Sequence, residues 1–383
     1  MKKKALLTVA AIILTLPSQS QETPEKFSAG GYASWLHNAM FENPSDIWIN
    51  SSMLHNRLNF KAYPGSRTTI TLEVRNRLIT GDLLLADPSY ASSIGYDQGW
   101  IDMSWNIIDE QSVILNTFID RASVDFTAGT FQVRAGRQRI NWSQTLVWNP
   151  NDIFNTYSYF DFDYTERPGS DAVRVIWSPG ASSSAEIAVK ADDTGAVTAA
   201  ALWRFSISGA DLQFLAGESE GDMVTLGTGW SANAGSYSIR GEATWFIPFG
   251  DSQSEKGTVI ATAGVDRVFS DKFTAITQFM YSSNPVAIDS FRDFYRGGLT
   301  ARSLAFSEFT LMGQVTYTPM PLLNLSVSAI WYPDLKGYYA GPSVDFSLAE
   351  NVDFSLVWQY FESVVSGDET QINMGFLRIK YSF

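Results

Sequence analysis

The chain ends in QINMGFLRIKYSF (Gln371–Phe383), and this stretch decides how everything before it is read. Taken in twos from the end, it gives Phe383, Tyr381, Ile379, Leu377 and Gly375, with Ser382, Lys380, Arg378, Phe376 and Met374 between them. The first set is apolar and closes on two aromatics; most of the second is polar or charged. Period-two alternation of this kind marks a strand with a greasy face and a wet face. A terminus frays unless something ties it down, so such an ending is not expected to anchor the core of a soluble protein. At a bilayer interface the same residues have a place, because aromatic girdles flank the apolar band of a membrane-spanning barrel.

The opposite end sets the compartment. Lys2, Lys3 and Lys4 precede the apolar run from Ala5 to Leu16, and Ser18 and Ser20 offer a small-x-small cleavage site. This is the layout of a secretory signal peptide, residues 1–20, leaving a single domain over 21–383. The chain has no Cys, which removes disulfides, a lipoprotein anchor and thiolate metal sites. No later stretch supplies the ~20 consecutive apolar residues of a membrane helix. A membrane-spanning form must then be a closed barrel. The net charge of −13 argues against nucleic acid as a partner.

The body of the chain repeats the terminal pattern. Tyr237, Ile239, Gly241, Ala243 and Trp245 alternate with Ser238, Arg240, Glu242 and Thr244. Leu323, Leu325, Val327, Ala329 and Trp331 alternate with Asn324, Ser326, Ser328, Ile330 and Tyr332. Aromatics gather at the ends of the apolar faces, as a bilayer band with girdles requires. The last strand resembles the C-terminal targeting strand of Gram-negative outer-membrane β-barrels, which finishes in Phe. That resemblance implies an outer-membrane location, assembly by the barrel-assembly machinery, and contact with lipid and lipopolysaccharide.

Counting back from a periplasmic Phe383, the turns near 348–351, 318–322, 269–271, 234–235, 208–210 and 178–182 fall on the periplasmic side and are short. Longer connections at 250–256, 282–303 and 363–369 fall outside, the asymmetry expected of such barrels. If 100–108 were a strand of its own the parity would fail, so 79–112 is read as one outer loop. The expected strands are 27–36, 53–63, 67–78, 113–125, 129–138, 170–178, 183–192, 196–208, 210–218, 222–233, 236–246, 257–268, 271–282, 305–318, 321–333, 337–348, 351–362 and 371–383. The fold class is all-β, a transmembrane antiparallel up-and-down barrel of about 18 strands, or 16 if the hairpin near 210–233 is misread. At that size the interior is wide enough for an aqueous channel.

The stretch 136–171, GRQRINWSQTLVWNPNDIFNTYSYFDFDYTERPGSD, is the most distinctive in the chain. It resembles a signature of porin-like families of the Gram-negative outer membrane: GRQ, then a Trp, then Asn-Pro-x-Asp. The matching positions are Gly136, Arg137, Gln138, Trp142, Asn149, Pro150 and Asp152; Ser143 departs from the small residue, often Gly, that follows the Trp. The resemblance implies a barrel and passive transport, and names no substrate.

On its own chemistry, 139–169 is too aromatic to stand in water, and a self-packing loop of ~30 residues is usually functional. Folded inward, it would set Asp152, Asp161, Asp163 and Glu166 against basic wall positions Arg57, Arg75, Arg77, Arg134, Arg174, Lys190, Arg204, Arg240, Arg378 and Lys380. Opposed charges of this kind favour polar solutes. The plainer reading is that these charges satisfy one another and the loop caps a plugged barrel. A second outer stretch, 284–303, carries Arg292, Arg296 and Arg302 beside Asp289 and Asp293, suited to ligand or lipopolysaccharide phosphates or to a solvated crown.

Enzyme chemistry finds little support. The two histidines, His37 and His55, flank the first outer loop with no GxSxG elbow. Asp161, Asp163 and Glu166 match no calcium-loop spacing. No cofactor is expected. The expected function is a channel for small polar solutes, with a homotrimer worth testing. The rival readings are a transporter of hydrophobic compounds, suggested by inward Phe361, Phe376, Ile330, Met312 and Met280, or a non-conducting surface-assembly barrel.

Overall fold

Within a bilayer each backbone N–H and C=O must find its partner in the protein, and a strand finds them only on its neighbours. In the computed structural model, which describes residues 26–162, 166–250, 252, 256–288, 299–365 and 367–383, one antiparallel sheet closes on itself. Its strands are β1 (Phe27–Phe41), β2 (Ile49–Gly65), β3 (Thr68–Gly81), β4 (Ser104–Glu110), β5 (Val113–Ala128), β6 (Phe131–Gln138), β7 (Ser170–Gly180), β8 (Ser183–Ala191), β9 (Val197–Ile207), β10 (Ala210–Ser219), β11 (Met223–Ala234), β12 (Tyr237–Pro248), β13 (Thr258–Ser270), β14 (Phe273–Ser282), β15 (Phe309–Met320), β16 (Leu323–Tyr332), β17 (Gly337–Ala349), β18 (Val352–Val365) and β19 (Asp368–Ser382). Closure is made by β19 on β1, from Tyr32 opposite Ser382 to Phe41 opposite Asn373. The terminal strand is thus pinned: Phe383 and Gly31 exchange two backbone hydrogen bonds of 2.8 and 2.9 Å. The expected signal peptide lies outside the described residues.

Alternation sorts the two faces as expected. On β12, Trp245 is 49% exposed on the outside while the inward Glu242 is 3% exposed. Each expected strand is present, with ends shifted by a few residues. The hairpin of β10 and β11 pairs continuously from Ala210–Ala232 to Ser219–Met223, so the wall has 18 strands rather than 16. Short turns share one end with Phe27 and Phe383, and long connections share the other.

One expectation needs correction. The stretch 79–112 is not all loop: it holds short helices at Asp82–Ala86 and Tyr90–Gly95, and then β4. The parity of the wall survives because β4 does not cross it. One edge of β5 is covered along its length by β3. On the other edge β6 reaches only Ala122–Ala128, which would leave the outer part of β5 an open edge. β4 fills that edge, running from Ser104 opposite Phe118 to Glu110 opposite Val113.

Arg137 closes the seam between this patch and the wall. Its Nε and Nη2 clasp the two oxygens of Asp171, each at 2.8 Å. Nη1 reaches Asp97 at 2.6 Å and the Ile119 carbonyl at 3.3 Å; Nη2 also reaches the Ile101 carbonyl at 2.7 Å. All five guanidinium donors are used, a geometry a lysine ammonium does not offer. The preceding Gly136 has φ +109, and a Cβ there would stand 2.2 Å from the Ala122 carbonyl oxygen. Gln138 donates to the Ala172 carbonyl at 3.0 Å. The Gly-Arg-Gln triplet therefore has a structural job at the point where β6 leaves β5.

Arg137→Ala strands two buried carboxylates and should cost about 3–5 kcal/mol. The check is the urea midpoint of the refolded barrel by tryptophan fluorescence. Arg137→Lys should recover only part of the loss; an unchanged midpoint in Arg137→Ala would contradict the seam.

Candidate functional site

Residues 139–169 join β6 to β7, and most of the described apolar side chains among them are buried inside the barrel. Ile140 and Trp142 are fully buried, and Val147, Trp148, Ile153, Phe154 and Phe160 are buried with them. Irregular backbone at membrane depth is tolerated only where protein or a water-filled cavity satisfies it. Here the inward side chains of the wall do so. The Trp142 indole N–H donates to Glu186 of β8 at 2.8 Å, and its carbonyl accepts from Gln213 of β10 at 2.7 Å. Gln278 of β14 accepts from the Val147 N–H at 2.9 Å and donates to the Trp148 carbonyl at 3.0 Å.

Glu242 of β12 is the centre of this docking. It accepts the backbone N–H groups of Gln144, Thr145 and Asn151 at 3.3, 3.0 and 3.2 Å, together with the Thr145 hydroxyl. Next to it, the Thr244 hydroxyl donates to the Asn151 side chain at 2.7 Å. Asn149 closes the turn, since its carbonyl accepts from the Asp152 N–H at 3.0 Å. Of the positions singled out in the sequence, Trp142 bonds the wall directly, and Asn149 and Asp152 close the turn that carries Asn151 to Glu242.

The second limb runs round the other side of the lumen. Tyr159 donates to Gln314 of β15 at 3.3 Å. The Phe160 ring packs edge-on to Tyr339 and Phe361, with centroids at 5.1 and 4.9 Å. Phe162 meets Phe376 of β19, and the Arg378 guanidinium lies 4.5 Å over its ring. Arg121 of β5 then holds the carbonyls of Glu166 and Arg167 at 3.0 and 2.7 Å.

The structure divides the expected charged residues into two groups. Arg134 pairs with Asp125, Arg240 with Asp266, and Arg174 and Arg204 share Glu186, so these four are tied within the wall. Lys190 donates to the Phe154 carbonyl at 2.8 Å. The other group lies on β2, β3 and β19. Arg57 pairs with Asp120 and Glu73 and stands 4.0 Å from Glu166. Arg75 lies 3.7 Å from Asp120, and Arg77 donates to Asn116 at 2.8 Å. Arg378 donates to Ser355 at 3.3 Å, and Lys380 lies over the Tyr32 ring. Asp161 is exposed and Glu166 half-buried, while Asp163 lies outside the described residues.

Asp152 differs from its expected place. It is 1% exposed, beneath the loop rather than on the lumen surface. The Trp142 N–H approaches one oxygen at 3.4 Å, and the other oxygen has no hydrogen-bond partner. Burial, opposed by nearby Arg139 and Lys190 and reinforced by Glu242, pushes this carboxyl up to about 7.

Sequence reasoning missed the wall residues that do the docking. Glu242, Glu186, Gln213 and Gln278 were visible only as inward polar positions, with nothing in one strand to say which would meet a loop. It also missed a second infolded stretch, where Ala301, Leu304, Ala305, Phe306 and Ser307 are buried. Arg302 there stands 3.6 Å from Glu220; Arg292, Arg296, Asp289 and Asp293 lie outside the described residues. His55 is buried against Tyr32, whereas His37 bonds Ser52 at 2.9 Å on the outward face, so the two histidines share no site. Among the described residues no three His, Asp or Glu side chains converge on a metal-sized site.

The fold has solved counterparts. Pseudomonas aeruginosa OccK11 (OpdR) superposes with a TM-score of 0.59 at 9% identity, covering 93% of this chain and 96% of that one. The outer membrane protein opdK from Pseudomonas aeruginosa gives 0.60 at 8% identity, over 93% and 98%. Acinetobacter baumannii OccAB4 gives 0.58 at 9%, over 93% and 98%. The architecture is that of a Gram-negative outer-membrane barrel of 18 strands. No protein-family model and no curated protein matches the sequence.

Two outcomes follow from the docking. Hydrogen bonds to a charged group are worth ~1.5–3 kcal/mol each, so Glu242→Ala should release the first limb. Limited proteolysis then cuts within 139–155 in the variant and spares the wild type; equal protection would contradict the latch. The second concerns Asp152. Docked, it keeps its proton to about pH 7; free, it ionises near ~4. The docked state therefore holds more protons between those values, and docking weakens as pH rises through that window and levels off above it. Hydrogen exchange of the loop amides should accelerate accordingly, beyond its intrinsic pH dependence, in wild type and not in Asp152→Asn.

Proposed function

We propose that this barrel is a porin-like channel of the Gram-negative outer membrane, passing small polar solutes down their gradient, with loop 139–169 as its constriction. The observation that carries the reading is the seating of that loop inside the lumen by Glu242, Glu186, Gln213 and Gln278. A constriction must hold its shape, and a loop whose backbone is bonded to several strands does so. The wall behind the loop bonds it through these polar side chains and packs it with buried Leu202, Leu215, Phe246 and Ile260.

Selection falls to the second limb. Asp161 and Glu166 lie on the loop, and Arg378 lies on the facing wall of β19 with its guanidinium over the Phe162 ring. Opposed charges across a passage favour polar over apolar solutes. Arg57 and Arg75, paired with Asp120 and Glu73, contribute little, as do Arg134, Arg174, Arg204 and Arg240, being neutralised where they stand.

The reading as a transporter of hydrophobic compounds rested on inward apolar residues. Those residues have another use: Phe361 and Phe376 receive Phe160 and Phe162, and Met280, Met312 and Ile330 belong to the core under the infolded stretches.

The test is reconstitution in a planar bilayer. Wild type should give stable single-channel steps that added sugars reduce. Asp161→Asn with Glu166→Gln should move the reversal potential in a salt gradient toward anions. A silent bilayer from folded barrel, or an unmoved reversal potential, would contradict the channel and the selecting limb respectively.

A further inference from the structure

Covering one edge creates another. β4 pairs with β5 along one side, from Ser104 opposite Phe118 to Glu110 opposite Val113, and no described strand pairs with its other side. β6 and β7 do not reach it, since their pairing ends at Gln138 opposite Ser170, lower on the wall. Glu110 and Val113 flank a two-residue turn and bond each other. One step earlier, at Asp109, the backbone N–H and C=O therefore point away from β5. A row of such groups is a template for a further strand.

The lower part of this edge lies in the bilayer band. Register aligns Ile108 with Leu115, Leu78, Leu54 and Trp35, an apolar rung of the outward face. Trp105 and Ile107, 49% and 64% exposed, continue that surface. The inner side is covered, with Asn106 donating to the Ala91 carbonyl of helix Tyr90–Gly95 at 2.9 Å. What stays open is the row of backbone groups, and acyl chains offer it neither donor nor acceptor. The charge here is one-sided. Residues 82–117 carry Asp82, Asp87, Asp97, Asp102, Asp109 and Glu110 and no Lys or Arg. Arg137, which seats the patch, is taken by Asp97 and Asp171.

We propose that the free edge of β4 is a docking site for an extended, cationic segment of another polypeptide, which joins the wall from the outer surface as one more strand. The hydrogen-bonding row selects a polypeptide, because only a second backbone presents N–H and C=O groups at the matching spacing. The carboxylates select its charge: Asp102, Asp109 and Glu110 border the edge and favour Lys or Arg on the incoming strand. The apolar surface selects its pattern, since every other residue of that strand stands beside Trp105 and Ile108 and faces acyl chains. A second copy of β4 is ruled out by the same carboxylates, which would meet their own kind across the new pair. The inference is independent of what the lumen conducts.

The test uses the full barrel in phosphatidylcholine nanodiscs, which carry no net charge to attract a probe. The probe is a short labelled peptide alternating valine and lysine. It should bind discs that hold the barrel and not empty ones. On binding it should slow amide exchange over 107–109 and leave the lumen loop 139–155 unchanged. Two control peptides should fail: one with alternate amide nitrogens methylated, which keeps the charge and loses the pairing edge, and one with glutamate for lysine. Asp109→Pro removes an N–H that faces away from β5, so affinity should fall about tenfold or more, with heat-modifiable mobility on gels unchanged. Asp109→Asn keeps the backbone donor and should cost less. Equal binding by the methylated peptide, or unchanged affinity in Asp109→Pro, overturns the proposal, because the attraction is then charge alone. So does an absence of binding, equal binding by the glutamate peptide, or protection confined to the lumen.

Discussion

A carboxylate held on a strand facing inward, Glu242, takes up three backbone N–H groups that would otherwise have no partner. The barrel wall spends its own backbone groups on closing the sheet. It has only side chains left with which to hold anything in its interior. A loop at membrane depth is stable when those side chains complete its hydrogen bonds, and this wall provides them in a row from β8 to β14. Take the row away and the aromatic limb has apolar reasons to stay inside but nothing that fixes its position.

The same accounting explains the seam at β4. A barrel removes edges by closing, but neighbouring strands of unequal length reopen one locally. β5 has 16 residues and β6 has 8, so half an edge is exposed unless something else pairs with it. The outer loop supplies a short strand for the purpose, and Arg137 bonds the patch to the wall through Asp97 and Asp171. The structural use of the Gly-Arg-Gln triplet follows from this geometry.

The wall was legible because its rule is local. Period-two alternation and turn residues fix each strand without reference to any other, and the terminal Tyr381 and Phe383 fixed which way the last one runs. β4 was not legible because its pairing depends on how far β6 extends, a comparison between strands that alternation does not encode. The inward course of 139–169 could be read from its aromatics. Its partners could not: Glu242 reads like any inward polar residue, and only the three-dimensional register brings it to Thr145. For the same reason the charged wall was over-read. Arg174 and Arg204 look available in sequence, and the fold brings Glu186 between them.

The central claim is that the first limb is fixed against the wall inside the lumen, and one measurement tests it directly. The hydroxyl oxygens of Thr145 on the loop and Thr262 on β13 are 3.2 Å apart. With Thr145→Cys and Thr262→Cys in this cysteine-free chain, mild oxidation of the folded barrel should form the disulfide readily. Single-channel conductance should be the same before and after, because the bond holds the loop where it already is. Failure to form the disulfide in folded protein, or a large change of conductance when it forms, would contradict the account.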